Sequence, residues 1–272
     1  MQKKTNFILV LCFLAGLFLL LYPVVSDYWN SFHQSTAIAD YSNVVSNLYD
    51  EKAEAVLNAA REYNDSVSKR PHRFIPTEEE HAEYMDTLSI DGKDVMGYLE
   101  IPSIHCSLPV YHTVRDSVLQ VGVGHIEGSS LPVGGIGTHC LLSGHRGLPS
   151  STLLTHLDKV LEGDLFMLNV LNEQLTYEVD QIRIVEPEDV TDLQLDPEED
   201  YCTLVTCTPY GIKTHRLLVR GHRVENVETA ERRKITPDAV QIDPVQVVPF
   251  VAAPLVILAV IWLLYGDRHH KE

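Results

Sequence analysis

The stretch TLVTCTPYG at residues 203–211, followed by HRLLVRG at residues 215–221, decides what fold and chemistry to expect of this chain. It predicts an apolar strand that ends near Cys207, a break at Pro-Tyr-Gly, and a second strand that carries Arg216. A thiol at a strand end beside a fixed cation suits a cysteine nucleophile. The positive charge favours thiolate over thiol, and the strand end leaves the sulfur open to a substrate.

Short strands are expected on the N-terminal side of this stretch as well. Apolar runs separated by turn residues predict strands at 96–101, 106–111, 138–143, 165–171, 175–185, 201–207 and 214–224. Asn172 and Glu173 predict a hairpin, and residues 153–161 predict the best interior helix. Many short strands with few helices favour an antiparallel β-barrel or sandwich.

Both ends of the chain contain apolar runs, at residues 7–25 and 247–265, that are long enough to span a bilayer. Basic residues lie before the first run and after the second, so the positive-inside tendency predicts cytoplasmic termini and an extracellular segment at 27–246. The first run could instead be a cleaved signal peptide, although residues 22–26 offer no small-x-small cleavage site.

These features divide the chain into six parts. They are an N-terminal membrane anchor or signal (1–26), a helical region (27–90), a β-domain (91–230), a spacer (231–246), a C-terminal transmembrane helix (247–265) and a cytoplasmic tail (266–272). Within the helical region, two prolines in RPHRFIP at residues 70–76 predict an irregular, exposed segment between helices.

The formal net charge is -17, and it becomes -19 when the two chain ends are left out. Nucleic acids and anionic lipid head groups are themselves negatively charged, so this charge argues against both as ligands. We expect a solvated acidic surface and no nucleic-acid partner.

The chain contains five cysteines, at positions 12, 106, 140, 202 and 207. Four lie outside the first apolar run, which allows disulfides but does not require them in a domain of this size. We interpret Cys106 and Cys140 as small buried hydrophobic residues. A Cys202–Cys207 bridge is disfavoured, because an odd step of five positions sends the two side chains to opposite faces of a strand.

Histidine is the natural proton-exchange partner of a catalytic thiol. Among thirteen histidines, His145 ends an apolar strand between two glycines, and His125 in GVGH at 122–125 is its main competitor. We expect His139 and His222 to be strand-surface residues.

Arg216 is the candidate donor to the oxyanion that forms when a carbonyl is attacked. Arg220 lies on the same strand face and is the alternative, whereas Arg146 and Arg223 are expected to be solvated. A zinc site built from Cys202, Cys207, His215 and His222 does not match common ligand spacings.

LVTCTPYG at residues 204–211, with HRLLVRG, resembles the active-site signature of sortases, the cysteine transpeptidases of Gram-positive surfaces. Supporting matches are VMGYLEIP at 95–102, GHIEGSSLP at 124–132 and THCLLSGHRGLP at 138–149. The likeness covers residues 91–224. Within the family it is similar to class C, the pilin polymerases, which the C-terminal span also fits.

The resemblance implies a mainly β fold: an eight-stranded sortase barrel with N-terminal helices and a transmembrane helix at each end. It implies His145, Cys207 and Arg216 as catalytic residues. Cys207 would cleave an LPXTG-like sorting signal between Thr and Gly through a thioacyl intermediate, and a pilin lysine would accept the acyl group. The expected partners are LPXTG-type surface or pilin proteins, and no metal or organic cofactor is implied.

One departure from class C concerns the lid. Many class C sortases cover the cysteine with an Asp-Pro-aromatic motif, whereas residues 70–76 contain no Asp-Pro pair. A lid built on Phe74 is therefore a hypothesis. The missing motif weakens the assignment to pilus building and keeps open a sortase that anchors surface proteins to peptidoglycan. A non-catalytic surface-binding domain is a separate alternative, and the three intact candidate catalytic residues argue against it.

Overall fold

The computed structural model describes residues 2–90, 92, 94–209 and 213–226, with side chains from residue 8 onward. Residues Trp29–Val227 form one compact unit, and Met1–Tyr28 belong to a second one. The expected spacer at 231–246, the expected span at 247–265 and the expected tail at 266–272 lie outside the described residues.

Helix α1 runs without a break from Gln2 to Ser46. It contains the apolar run at residues 7–25, and it is the one helix within the described residues that is long and apolar enough to cross a membrane. A signal sequence near the N-terminus meets the same criterion, so the alternatives of anchor and signal both stand.

Two more helices follow, α2 (Asp50–Ser68) and α3 (Glu78–Asp86). The irregular segment expected at residues 70–76 does lie between these helices, and it ends where α3 begins at a capping box in which Thr77 and Glu80 bond each other's backbone N–H groups. Helix α2 packs against the core through a stripe of residues at helical spacing. The buried apolar members of this stripe are Ala53, Leu57, Ala60, Tyr63 and Val67.

Eight strands close into a barrel, which confirms the expected fold. In chain order the elements are β1 (Val95–Ile101), β2 (Cys106–Tyr111), α4 (Asp116–Leu119), β3 (Val123–His125), β4 (Thr138–Ser143), β5 (Leu165–Val170), β6 (Glu173–Val185), β7 (Asp200–Thr208) and β8 (His215–Val224). Around the barrel the strand order is β1-β2-β3-β4-β7-β8-β6-β5. The predicted hairpin is the antiparallel β5–β6 pair.

The expectation of a purely antiparallel sheet is wrong, because β2 pairs with β3, and β4 with β7, in parallel. The short helix α4 carries the chain back between β2 and β3, as a parallel connection requires. The β5–β6 hairpin separates β4 from β7 in sequence. Because β4 and β7 run in the same direction, their carboxyl ends meet at one edge of the barrel.

The prediction of an interior helix at residues 153–161 is also wrong. This segment consists of turns and a short 3₁₀ helix at Leu157–Lys159. Leu153 has a φ of 41°, which a regular α-helix does not accommodate. The apolar periodicity arises because the segment packs on the barrel core through Leu153, Leu154, Leu157 and Val160.

Candidate active site

The first feature of the site is the alignment of His145 with Cys207. In the parallel β4–β7 ladder, Ser143 pairs with Val205. His145 follows the end of β4 by two residues, as Cys207 follows Val205, so both residues lie at the same end of neighbouring strands that are about 4.8 Å apart. Two hydrogen bonds hold Gly144, the residue between β4 and His145, against β7: its N donates to the Val205 carbonyl (3.1 Å), and its carbonyl accepts from Thr206 Oγ1 (2.8 Å).

Arg216 lies on the other side of Cys207. These two residues are direct partners in the antiparallel β7–β8 ladder, and partners in such a ladder share one face of the sheet. The Arg216 guanidinium is part-buried and its Nη1 donates to the carbonyl of His215 at 3.3 Å. The topology therefore brings the three predicted residues onto adjacent strand ends in the order His145, Cys207, Arg216.

The environment of His145 favours its neutral form. Partial burial lowers the pKa of His145 below its ordinary value, and the positive charge of Lys213 lowers it further, against an opposing effect of Asp116. The loop around it is pinned at the backbone, since Leu154 N donates to the His145 carbonyl at 3.2 Å. A neutral, positioned imidazole can accept a proton near pH 7.

The face that carries Cys207 is the outer face of the barrel, and it continues into an apolar patch. Val205 lies two residues before Cys207, Leu218 lies two residues after Arg216, and both side chains are buried. They form a small cluster with Val185, separate from the barrel core, against which Ile126 and Leu193 pack. A substrate that reaches Cys207 would find an apolar surface next to the thiol.

His125, the competing histidine, lies inside the barrel wall with no exposed surface. Its Nε2 contacts the Ser130 carbonyl at 2.9 Å, and its Nδ1 lies 3.0 Å from the hydroxyl of Tyr84. That hydroxyl also accepts the N–H of Thr113 at 3.0 Å. His125 therefore joins α3 to β3 as a structural residue, and it has no exposed surface for a substrate to reach.

The expectation that His139 is a surface residue is wrong. Its side chain is 1% exposed, because the connection between β6 and β7 folds over it. Nδ1 donates to the Gln194 carbonyl (2.8 Å), and Nε2 lies 2.7 Å from Thr203 Oγ1. Burial, opposed in part by the Gln194 hydrogen bond, lowers the pKa of His139 to about 4. This histidine ties the β6–β7 connection, which also carries Leu193, to the sheet.

The low pKa of His139 predicts a loss of stability in acid. An unfolded histidine binds a proton near pH 6.5, whereas the folded one does so near pH 4, so stability falls as the pH drops between these values, by about 3 kcal/mol. His139→Gln should reduce this fall in the thermal midpoint measured from pH 7 to pH 4. The exposed His72→Gln is the control, and an identical acid dependence in His139→Gln would contradict the assignment.

Two other arginines considered above, Arg220 and Arg146, have fixed partners. Arg220, the alternative cation, forms two hydrogen bonds with the carboxylate of Asp180, at 3.1 and 2.7 Å, and lies over the ring of Tyr201. The expectation that Arg146 is solvated is wrong, because it bonds Asp158 (2.5 Å) and lies 3.4 Å from Thr208 Oγ1. Arg146 thus links the chain after His145 to the strand of Cys207. This contact joins distant segments, so it cannot be predicted from the local sequence pattern.

All five cysteines have free thiols. Cys202 is fully buried inside the barrel, whereas Cys207 is on the outer face, in agreement with the strand alternation. This geometry also separates the ligands of the zinc site considered above. Cys140, a direct partner of Cys202 across the β4–β7 ladder, is buried as expected, while Cys106 is part-buried.

Comparisons with known proteins identify relatives of this chain. A family profile for the sortase domain matches residues 99–224. Curated sortases are 28–31% identical to this chain, which spans 52–63% of their lengths.

Three crystal structures share both the fold and a substantial part of the sequence. Sortase C1 from Streptococcus agalactiae is 50% identical (TM-score 0.68) and covers 70% of this chain and 99% of its own. Streptococcus pneumoniae sortase C is 40% identical, with a TM-score of 0.62, and covers 70% of this chain and 96% of its own. Clostridium perfringens sortase C was solved with the C-terminal cell wall sorting motif. It is 41% identical, with a TM-score of 0.62, and covers 70% of this chain and 99% of its own. This chain therefore belongs to the sortase family, and its solved neighbours are class C sortases.

Proposed function

We propose that this protein is a membrane-anchored cysteine transpeptidase that cleaves an LPXTG-like sorting signal between Thr and Gly and joins it to a lysine amine of a pilin subunit. The observation that carries the proposal is the direct pairing of Cys207 with Arg216, with His145 two residues past the end of the neighbouring strand β4. The catalytic domain would lie outside the cell, consistent with the apolar half of α1.

The lowered pKa of His145 suits the proton transfers of this reaction. A neutral imidazole takes the proton of the Cys207 thiol as the sulfur attacks the Thr carbonyl carbon. The resulting imidazolium gives that proton to the departing glycine amine when the C–N bond breaks. The neutral His145 then removes a proton from the incoming amine, which attacks the thioester and releases Cys207.

Arg216 and the apolar cluster would serve binding. A guanidinium opposite Cys207 can donate hydrogen bonds to the carbonyl oxygen as negative charge develops on it. The surface formed by Val205 and Leu218 would receive the apolar side chains of the sorting signal. The structure of the Clostridium perfringens relative with its sorting motif supports a peptide of this kind as substrate.

The choice of acceptor rests on the relatives. The crystal structure of Streptococcus pneumoniae sortase C provides insights into pilin substrate specificity, which supports a pilin lysine here. The full-length protein in detergent micelles should form a thioacyl adduct with an LPXTG-type peptide, visible by intact mass as loss of the peptide's glycine end. The adduct should resolve onto a lysine-bearing pilin; resolution only onto a peptidoglycan amine would favour anchoring, and the absence of any adduct would contradict catalysis.

We also propose that residues 70–76 act as a lid. This segment packs against the connection after β3, where a side chain on Gly128 would clash with the Arg73 carbonyl. Arg73 Nη2 also donates to the Leu193 carbonyl at 3.3 Å. Leu193 belongs to the apolar cluster beside Cys207, so the segment is fastened to the wall of the site. Phe74, beneath the Arg73 guanidinium, is the aromatic residue of this segment.

Phe74→Ala should increase the rate at which Cys207 reacts with a small alkylating reagent by several-fold. Deleting residues 69–80 is a poorer test, because it removes Thr77 and Glu80 from the capping box of α3. Ile75→Ala is the control, since Ile75 is 77% exposed. Equal alkylation rates for Phe74→Ala, Ile75→Ala and the unmodified protein would contradict a lid built on Phe74.

A further inference from the structure

Two amide side chains of α1 contact the loop that follows His145. Asn30 Nδ2 donates to the Ser150 carbonyl at 2.7 Å, and Gln34 Nε2 donates to Ser151 Oγ at 3.2 Å. The partners are 120 and 117 positions apart in sequence. All four residues belong to the unit that contains the barrel.

The two amides lie on the stripe of α1 that packs on the barrel. Tyr41 and Val45 continue this stripe at helical spacing and are buried, and the Tyr41 hydroxyl donates to the Met96 carbonyl at 2.9 Å. Gln34 is 9% exposed, although an apolar side chain would pack there at lower cost. A buried amide is tolerated when it is hydrogen-bonded, and here the partner is the loop.

Short-range contacts close the loop on itself. Besides the bond from Leu154 to His145, Gly147 N donates to Thr155 Oγ1 at 3.1 Å, and a backbone bridge joins Leu148 to Ser151. The barrel holds the near end through Gly144 and Arg146, and the far end through Leu153 and Leu154, which pack on its core. Between these anchors, α1 holds Ser150 and Ser151.

We propose that Asn30 and Gln34 are positioning residues that orient the His145 loop. The extracellular half of the N-terminal helix would then contribute to the geometry of the active site. The inference rests on the proposed function, because orientation matters only if His145 exchanges protons with substrate. A displacement of a catalytic group by about 1 Å can cost up to about 100-fold in rate. The helix that carries the apolar run would thereby also set the geometry of catalysis.

The test uses the full-length protein in detergent micelles and the double variant Asn30→Asp/Gln34→Leu. Aspartate has the shape of asparagine but no N–H to offer the Ser150 carbonyl, and leucine keeps the packing of Gln34. We expect the kcat of thioacyl formation to fall about 10-fold with KM unchanged. Asn43→Asp, which adds the same charge at an exposed position of α1, is the control.

Hydrogen–deuterium exchange of residues 145–155 gives a readout that needs no activity. Exchange at the Gly147 and Leu154 amides should be about fivefold faster in the double variant than in Asn43→Asp, since each lost bond loosens the loop. If the double variant fails to fold, Asn30→Asp alone is measured, because Asn30 is only half-buried. Unchanged exchange and unchanged kcat overturn the inference. An unmodified protein that forms no adduct refutes the proposed function instead, and exchange alone then decides on the positioning role.

Discussion

Cys207→Ala is expected to abolish the thioacyl adduct and to lower turnover by about 10⁴-fold or more, since removing a nucleophile removes the covalent route. Cys207 is part-buried on the outer face of the barrel, away from the core, so the thermal midpoint should change little. Intact mass after incubation with an LPXTG-type peptide, together with a thermal melt, measures both effects.

Cys106→Ala provides the matched control. Cys106 is also a part-buried strand cysteine, but burial raises its pKa to about 12, so its thiol remains protonated and unreactive. This variant should acquire the adduct like the unmodified protein. An adduct that persists in Cys207→Ala, or a loss of the adduct in Cys106→Ala, would refute the assignment of the nucleophile.

His145→Ala is expected to lower the rate of acylation by about 10²- to 10⁴-fold, the usual contribution of a general acid–base group. The pH profile should change as well. In the unmodified protein the rate falls as the pH drops through the pKa of His145, which burial and Lys213 hold below the ordinary value. The variant lacks this group, so this acidic limb should disappear from its residual rate.

The control for this variant is His215→Ala. His215 directly precedes Arg216 on β8, and strand alternation directs its side chain to the opposite face. The substitution should leave the acylation rate within about twofold of the unmodified value, as expected for a side chain outside the site. If His215→Ala slows acylation as much as His145→Ala, the choice of His145 as the proton-transfer residue is wrong.

Strand positions and the nature of the site were accessible to sequence reasoning because both depend on local patterns. The apolar runs before Cys207 and around Leu217 predict their strands, since alternation is a property of a few consecutive residues. Leu153 shows the limit of this reasoning. The spacing of leucines predicts a helix there, but packing against the barrel imposes a positive φ and a chain of turns.

His139 and Arg146 were misjudged for the same physical reason. Their burial and partners come from segments far away in sequence: Gln194 in the β6–β7 connection for His139, and Asp158 and Thr208 for Arg146. The local sequence pattern predicts that a strand residue facing outward is exposed. Only the fold decides whether another segment covers it.

The sequence by itself determined that the chain has a cysteine at the end of an apolar strand with an arginine on the next strand, a histidine at another strand end, an apolar segment long enough to span a bilayer, and enough short strands for a barrel. These are properties of residue type and local period. The tertiary structure decided the parallel pairing of β4 with β7, which puts His145 and Cys207 at the same end of neighbouring strands, and the contact of α1 with the loop after His145. Both depend on which distant segments bury surface against each other, and that free energy is shared by the whole chain and cannot be assigned to any one stretch.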